Sequence, residues 1–489
     1  MPLVLGGSSA VAEAYSIDNS CRFNSPDSAY LIRTVGTPTD QDKYTFSCWV
    51  KRGLITDGTR QVFACEPDGS NRELFFFESV DTLKYQNNAA GAGNKSLVTD
   101  QLFRDTAAWY NVVVAYDSAQ GVAANRTKLY LNGTQITDFS TEEYVAQDAN
   151  SSYNTSGSVV GVGVNISVPP SSSPEGIFNG YIAEFVFCDG QALTPSSFGE
   201  FNSDSPTIWQ PIDVSGLTFG DNGFYLDFED SANLGADVSG NSNDFTETNI
   251  AAVDQCEDSP TNNFATLNFL NMPPSDPPTF SQGNTYVVTQ NASSKYFGGT
   301  TTMGLSSGKW YWETYSASAA AAAVVGVYTD PIDASTNGRQ PGYSTYDWAY
   351  EYDGTIISNN VDQDTGMGSW TTLDYIGTYL DLDNNKIYWA KNGVIINSGT
   401  GWDITAAAST THGFYYPGCA DQETTASSFA FNFGNGSFGA INLTGTVYAD
   451  NDGYGIFKYS PNDGGSASFD SAAKNFMAIC TKNLGAYGG

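Results

Sequence analysis

"TKLYLNGTQI" at 127–136 and "DLDNNKIYWAKNGVII" at 381–396 set the same pattern twice in one chain. Leu129, Tyr130, Leu131 and Ile136 flank Asn132-Gly133; Ile387, Tyr388, Trp389 and Val394 flank Asn392-Gly393. The flanks are strand formers. Asn-Gly suits a two-residue hairpin, because both central residues need positive φ and both tolerate it. The spacing therefore predicts two hairpin tips. The second stretch also holds Asp381-x-Asp383-x-Asn385, which imitates the opening of an EF-hand loop. Its sixth position is Lys386 rather than Gly, and its twelfth is Asn392 rather than Glu. A tight turn at Asn384-Asn385 is the expected structure, not a calcium loop.

The surrounding composition is that of a β protein. The chain has 489 residues, of which 14% are aromatic and 40% hydrophobic. Charged residues make up only 15%, and there are 50 glycines. Few segments carry a helical apolar stripe, and turn signals are frequent, so an all-β, multidomain chain is expected. Acidic residues number 53 against 20 basic, a net charge of −33. This balance excludes nucleic acid as a partner and opposes anionic membrane surfaces. No apolar run reaches transmembrane length, so membrane insertion is not expected. The N-terminus "MPLVLGGSSAVAEAYS" lacks a basic region before its short apolar run, which argues against a secretory signal. Seven cysteines, at 21, 48, 65, 188, 256, 419 and 480, are widely spaced with no Cys-x-x-Cys, so a disulfide framework is not expected.

Along the chain, residues 1–15 read as a small-residue arm. From 16 to 202 strands follow one another: "CRFNSPDSAYLIR", "YTFSCWVKR", "RQVFACE", "ELFFFES", "WYNVVVAYD" and "GYIAEFVFCD". In "YTFSCWV", Tyr44, Phe46 and Cys48 alternate with Thr45 and Ser47, as a strand packed on one face requires. "ALTPSSFGEF" predicts a short helix with Thr194 as its cap and Pro195 in its first turn. Residues 203–285, rich in Pro, Asn and Asp, read as an ordered, turn-rich connector, since Phe224, Leu226, Phe228 and Phe245 are too apolar for disorder. A second β domain spans 286–440 and includes "SSGKWYWETYS", "YSTYDWAYEYDGTIIS" and "SSFAFNFGNGSFG". The Ala319–Ala323 run favours helix by propensity, but its continuation "VVGVY" favours strand. Residues 441–489 form a C-terminal extension. Trp49, Trp109 and Trp312 are expected to point into the sandwich cores.

The motifs from "DSAYLIR" through "YTFSCWVKRG", "WYNVVVAYD" and "KLYLNGTQI" to "GYIAEFVFCDGQALTPSSFGEF" resemble a laminin-G/concanavalin A-like jelly roll. "GKWYWE", "GVY", "LDLDNNKIYWAKNG" and "FNFGN", in that order, resemble a SPRY (B30.2-like) sandwich. The resemblance implies two antiparallel β-sandwiches joined by the connector, with the two Asn-Gly stretches as corresponding hairpins. Together with "NGFYLDFEDSANLGADVSGNSNDFT" and a closing "FMAICTKNL", the chain is similar to virion structural proteins of tailed, often marine, bacteriophages. That resemblance implies a tail-fibre or other appendage component in the virion, made in the host cytoplasm. Its implied partners are other virion proteins and a host-surface glycan or protein. A homo-oligomer, a trimer by resemblance, is the expected closure. A capsid decoration or head fibre is the alternative, and a glycan hydrolase a remote one.

Catalytic signals are incomplete, so no enzyme is expected. Gly304-Leu-Ser306-Ser-Gly308 matches a nucleophile elbow, but its strand follows the motif, and His412 is the one histidine of the chain. Gly434-x-Gly436-x-x-Gly439 lacks a βαβ setting. Asp227 with Glu229, and Glu351 with Asp353, share strand faces by alternation, yet neither pair has the third acid of a jelly-roll glucanase. No cofactor is expected. Asp237, Asn241, Asn243 and Asp244 could hold a Ca2+ ion, with Asx turns as the alternative. The remaining candidates for ligand contact are Tyr343, Tyr346, Asp347, Trp348, Tyr415 and Tyr416, whose rings could stack on a sugar or anchor a protein partner.

Overall fold

The computed structural model describes residues 15–88, 93–166, 174–272, 277–290, 298–319, 321–330, 340–421, 425–462 and 474–488. Of the expected N-terminal arm, residues 1–14 lie outside these, as does Ala320 of the alanine run. The chain divides into two compact units, one ending at Thr261 and the other starting at Asn262. Both are built from antiparallel sheets, the class read from the sequence.

In the first unit one sheet runs in the order Thr134–Gln135, Thr127–Leu131, Trp109–Asp117, Lys43–Arg52, Gly180–Asp189, Ser20–Phe23, Gln255–Cys256. The other runs Phe139–Glu142, Asn94–Leu102, Thr82–Asn88, Asn71–Phe77, Arg60–Asp68, Val159–Val162, Tyr30–Thr34, Thr246–Thr248. Alternation along Lys43–Arg52 sends Tyr44, Phe46, Cys48 and Val50 into the space between the sheets. There the Phe46 ring meets Phe63 at 5.5 Å and Phe75 at 5.2 Å, both edge-on. The same alternation puts Trp49 on the opposite face. Trp49 and the half-buried Trp109 pack there with Ile17, Ala183 and Trp209. The expected inward direction of these two tryptophans is thus corrected: Trp49 shares the phase of Thr45 and Ser47.

The second unit pairs a sheet in the order Thr279–Ser281, Tyr286–Val288, Ser428–Asn432, Lys309–Ser318, Tyr375–Asp381, Lys386–Lys391, Val394–Ile395 with one in the order Gly299–Thr300, Tyr416–Asp421, Ala323–Tyr328, Trp348–Glu351, Ile356–Ser358, Val361–Asp364. Trp312, Thr378 and Trp389 are register partners across the first of these sheets. Trp389 meets Tyr350 of the other sheet at 6.2 Å, so this row faces inward, and Trp312 is fully buried as expected.

The sequence from 203 to 285 does more than connect. Phe224–Leu226, Thr246–Thr248 and Gln255–Cys256 add strands to the first unit, and Thr279–Ser281 adds one to the second. The expected helix at 192–201 shrinks to one 3-10 turn, Pro195–Ser197, with no side-chain cap from Thr194. Gly199–Phe201 leaves it as a strand, paired with Trp209–Pro211. Thr481–Tyr487 is the one α-helix among the described residues.

The two Asn-Gly turns are built alike. Asn132 and Asn392 have φ of 45° and 50°. Each donates its N–H to the neighbouring strand, to Asn111 O at 2.9 Å and Tyr375 O at 2.7 Å. Each accepts in return through Oδ1, from Asn111 N and Tyr375 N, both at 2.8 Å. The asparagine side chain thus supplies the acceptor that a further ladder residue would have supplied. A Cβ on Gly133 would lie 2.3 Å from the Trp209 ring, and one on Gly393 2.4 Å from Tyr459. Positive φ and close approach both demand glycine there. At Asp381–Lys386 the carboxylate of Asp381 accepts from Asn384 N and Nδ2, closing a turn. Asp383 accepts from Gly308 N.

Chain that follows each sandwich covers an outer face. In the second unit Phe457, Phe476, Ala478 and Cys480 pack on Tyr311, Tyr379 and Tyr388. Glu313 is buried among them, accepting from Lys458 N, Tyr459 N, Tyr311 Oη and Asn432 Nδ2. Burial pushes its carboxyl up to about 7 against the pull of those donors. The folded state therefore holds this proton above the pH at which the unfolded chain releases it. The stability contribution is full below about 4.5, falls as pH rises through about 7, and is flat beyond.

Two outcomes are expected. Phe46→Ala should cost about 3–5 kcal/mol in denaturant unfolding, whereas Trp109→Phe, which keeps a ring on the outer face, should cost about 1. The urea midpoint of the second unit should fall between pH 5 and pH 8, and Glu313→Gln should flatten that fall.

Candidate functional site

Loops converge at one end of the second sheet of the C-terminal unit. Antiparallel pairing sets the tips side by side: Tyr328 pairs with Tyr416, Val327 with Trp348, and Trp348 with Ser358. Thr329 and Asp330 leave the first of these strands. Tyr343–Tyr346 lead into the second, Asn359 begins the turn after the third, and Thr411 precedes the fourth. Together Thr329, Asp330, Tyr343, Ser344, Thr345, Tyr346, Asn359 and Thr411 line a cavity of about 350 Å3.

Local chemistry holds these loops. Asn359 and Asn360, with φ of 54° and 55°, make a two-residue turn between Ser358 and Val361. Their N–H groups donate to Ser344 O at 3.2 Å and Gly342 O at 2.9 Å, fixing the tyrosine-bearing loop. Beneath it Asp347, fully buried, accepts from Thr329 N at 2.8 Å and Thr329 Oγ1 at 2.9 Å. At the rim His412 Nε2 lies 2.9 Å from Asp330 Oδ1. The lining carries four aliphatic hydroxyls, two phenols, one amide and one carboxylate, and no Lys or Arg among the described residues. It can exchange many neutral hydrogen bonds and offers two rings for stacking.

The six residues singled out from the sequence separate here. Tyr343, 36% exposed, and the half-buried Tyr346 line the cavity. Asp347 lies below it and positions Thr329. Trp348, Tyr415 and Tyr416 are buried. Tyr416 packs with Tyr328 and Phe414, and Tyr415 Oη donates to Thr405 O at 2.6 Å. These three are packing residues rather than ligand contacts: Trp348 shares the inward phase of Tyr350, whereas Tyr416 lies beside Tyr328 on the other face of the sheet and is covered there. Thr329, Asp330, Ser344, Thr345, Asn359 and Thr411 were missed. Ser344 and Thr345 lie between the two tyrosines, and Thr329 and Asp330 open the same connection; Asn359 and Thr411 come from connections further along the chain, where the one local signal was the Asn359-Asn360 turn.

At 237–244 the hydrogen bonds are those of the Asx-turn alternative. Asp237 Oδ1 accepts from Tyr225 N and Ser239 N, and Oδ2 from Ser239 Oγ and Asn243 N. Asp244 Oδ1 accepts from Asp237 N, and Asn243 Oδ1 from Arg33 Nη2. Asn241 Nδ2 donates to the carbonyls of Gly220 and Gly223. The polar atoms brace a loop, as Asx turns do. No group of three or more His, Cys, Asp or Glu among the described residues could hold a metal ion.

Ser306 Oγ donates to Gly488 O, while His412 bonds Asp330. Asp227 lies past the end of Phe224–Leu226, and Phe228 has φ of 62°, so Asp227 and Glu229 do not share a strand face. Asp353 closes a turn on Thr355 N rather than extending the strand of Glu351. One carboxyl escaped the sequence reading. Glu184 sits in the irregular stretch of Gly180–Asp189 between Ala183 and Val186, with φ of 44°. Its Oε1 accepts from Tyr15 Oη at 2.6 Å and Tyr225 Oη at 2.8 Å, and burial pushes it up to about 7.

Residues 25–198 match the Concanavalin A-like lectin/glucanases superfamily, and residues 309–436 match the SPRY domain. The chain thus carries a concanavalin A-like domain followed by a SPRY domain. It is similar to a heptameric SAP-like pentraxin from Limulus polyphemus, at 20% identity over 37% of this chain and 80% of that one, with a TM-score of 0.29. It is similar to the SPRY domain of human HERC1, at 20% identity over 30% and 87%, TM-score 0.25. A carbohydrate binding protein from Bacteroides ovatus, so described in its name with a qualifier, is similar at 14% identity over 48% and 60%, TM-score 0.31. No curated protein matches the chain.

Replacing Asp347 with Ala should leave the Thr329 N–H without its acceptor and cost about 1–3 kcal/mol in thermal or denaturant unfolding. Asp347→Asn, which keeps Oδ1 as an acceptor, should cost less.

Proposed function

We propose that the protein is a non-enzymatic binding component of a tailed-phage virion, an appendage that takes a host-surface glycan into the cavity flanked by Tyr343 and Tyr346. The observation that carries this reading is the cavity itself: two accessible rings beside four hydroxyls, an amide and a carboxylate. Such a lining suits a sugar, which offers C–H faces to rings and hydroxyls to polar groups. Several loops on a rigid sheet edge present it, which is where binding residues commonly sit. The superfamily matched by residues 25–198 is described by both lectins and glucanases, in keeping with a carbohydrate ligand. The virion assignment rests on the sequence resemblance across most of the chain. With it goes a symmetric oligomer, a trimer, on the particle.

Purified full-length protein should bind host envelope extract. Tyr343→Ala with Tyr346→Ala should weaken that binding by about 1–3 kcal/mol, with the melting temperature unchanged. Antibody against the chain should label intact particles at the appendage. Unaltered binding by the double variant would remove the cavity from the mechanism, and unlabelled particles would remove the virion assignment.

A further inference from the structure

We infer that the second unit carries a strand-docking groove, and that residues 475–483 are its tethered ligand rather than a fixed part of the sandwich. The groove begins at a sheet edge. Ser428–Asn432 pairs with Lys309–Ser318 only from Glu313 onward, and Met477 continues the ladder beyond it. Met477 N donates to Lys309 O and its carbonyl accepts from Tyr311 N, both at 2.9 Å. Two residues on, Ile479 N donates to Phe433 O at 3.0 Å, and Ile479 O accepts from Ala265 N at 2.9 Å. Thr481 N donates to Asn263 O at 2.8 Å. The segment thus bonds through its main chain to three separate stretches, as a peptide does when it adds a strand to a sheet edge.

In strand addition the main chain supplies affinity and side-chain pockets supply specificity. Here the specific position is Ala478, which lies between two glycines. A Cβ on Gly434 would come within 2.5 Å of the Ala478 methyl, and one on Gly455 within 2.3 Å. Anything larger than a methyl at 478 meets backbone on both sides. The buried Asp450 reads the same segment twice, with Oδ2 accepting from Ala478 N at 2.9 Å and from Asn483 Nδ2 at 2.7 Å. Every residue from Phe476 to Cys480 is buried, and the Phe476 ring meets Tyr379 edge-on at 5.2 Å.

The sheet beneath does not depend on this segment for its own pairing. Lys309–Ser318 and Tyr375–Asp381 are in continuous register, and Glu313 holds Lys458 and Tyr459 without it. The connection is also longer than the gap it closes. Asn475 N donates to Asn462 Oδ1 at 3.1 Å, so the segment begins beside the point where the preceding chain stops. Twelve residues, 463–474, join these two neighbours, about twice the usual length of a connection. A tether of that length lets the segment leave and return while holding it at a roughly millimolar effective concentration. Its own groove is therefore the resting place of the C-terminus, and the C-terminus of a second copy competes with it on equal chemistry.

The test uses the full chain with a protease site placed within 463–473 and cut after folding, so that contacts alone hold the segment. The probe is a fluorescent synthetic peptide of residues 474–489. The cut segment should elute with the rest of the protein in gel filtration, and excess probe should replace it with the far-ultraviolet circular dichroism unchanged. A probe carrying Ala478→Leu should bind at least about tenfold more weakly. In the uncut chain the tether should lower probe binding at least about tenfold. Should the added site prevent folding, hydrogen exchange on the unaltered chain decides: the amides of Met477, Ile479 and Thr481 should exchange faster than those of the Lys309–Ser318 ladder. A segment that stays in place through days of excess probe, that leaves only as the unit unfolds, or whose amides exchange in step with that ladder is part of the fold, and the proposal falls. Equal binding by the Ala478→Leu probe would overturn the register of the groove and the docking site with it.

Discussion

Lys51 and Asp258 meet at 2.6 Å with side chains 1% and 2% exposed. Trp109 Nε1 donates to the same carboxylate. Arg22 and Asp254 make a second pair at 2.9 Å. Both acids lie well past the end of the jelly-roll match, yet both reach charges on its sheet. Removing either member would strand a buried charge, a cost of about 3–5 kcal/mol. The pairs therefore hold the 250–261 segment against an outer sheet face. Glu313 does the same in the other unit with backbone donors, fixing Lys458 and Tyr459. In each unit a buried ionisable side chain on a sheet strand fastens later chain, and that chain lets the sheet bury both faces.

Covering both faces explains features that look unrelated in the sequence. Trp49 can be buried while facing away from the sandwich core, because Ile17 and Trp209 wait on that side. Gly133 and Gly393 must remain glycine because Trp209 and Tyr459, each from chain following its sandwich, lie against them. All seven cysteines are buried free thiols. Burial raises the pKa of Cys48, Cys188 and Cys256 well above the ordinary thiol range, so they behave as small apolar side chains.

The cavity depends on the same rigidity. Its lining comes from three connections between strands, and three hydrogen-bonded devices align them: the Asn359-Asn360 turn, the buried Asp347 carboxylate, and the His412–Asp330 contact. None of the three needs a ligand to form. A preformed polar cavity on a sheet edge loses little entropy when occupied, which favours binding by a small ligand.

The sequence by itself determined the strands and the turns. Period-two alternation marked Tyr44, Phe46 and Cys48 as one face, and Asn-Gly marked both hairpins, because these signals act over a few neighbouring residues. It brought Tyr343 and Tyr346 forward for the same reason, as aromatics in a turn-rich stretch. Tertiary structure decided what alternation leaves open, namely which face of a sheet is covered and by what. Trp49 was misread because a tryptophan's size says it is buried but not on which side. At 237–244 the sequence left an Asx turn and a cation loop both open, because the two use the same residue types. Asn359 and Thr411 could be joined to the tyrosines only by strand register, which brings together connections that the chain keeps apart.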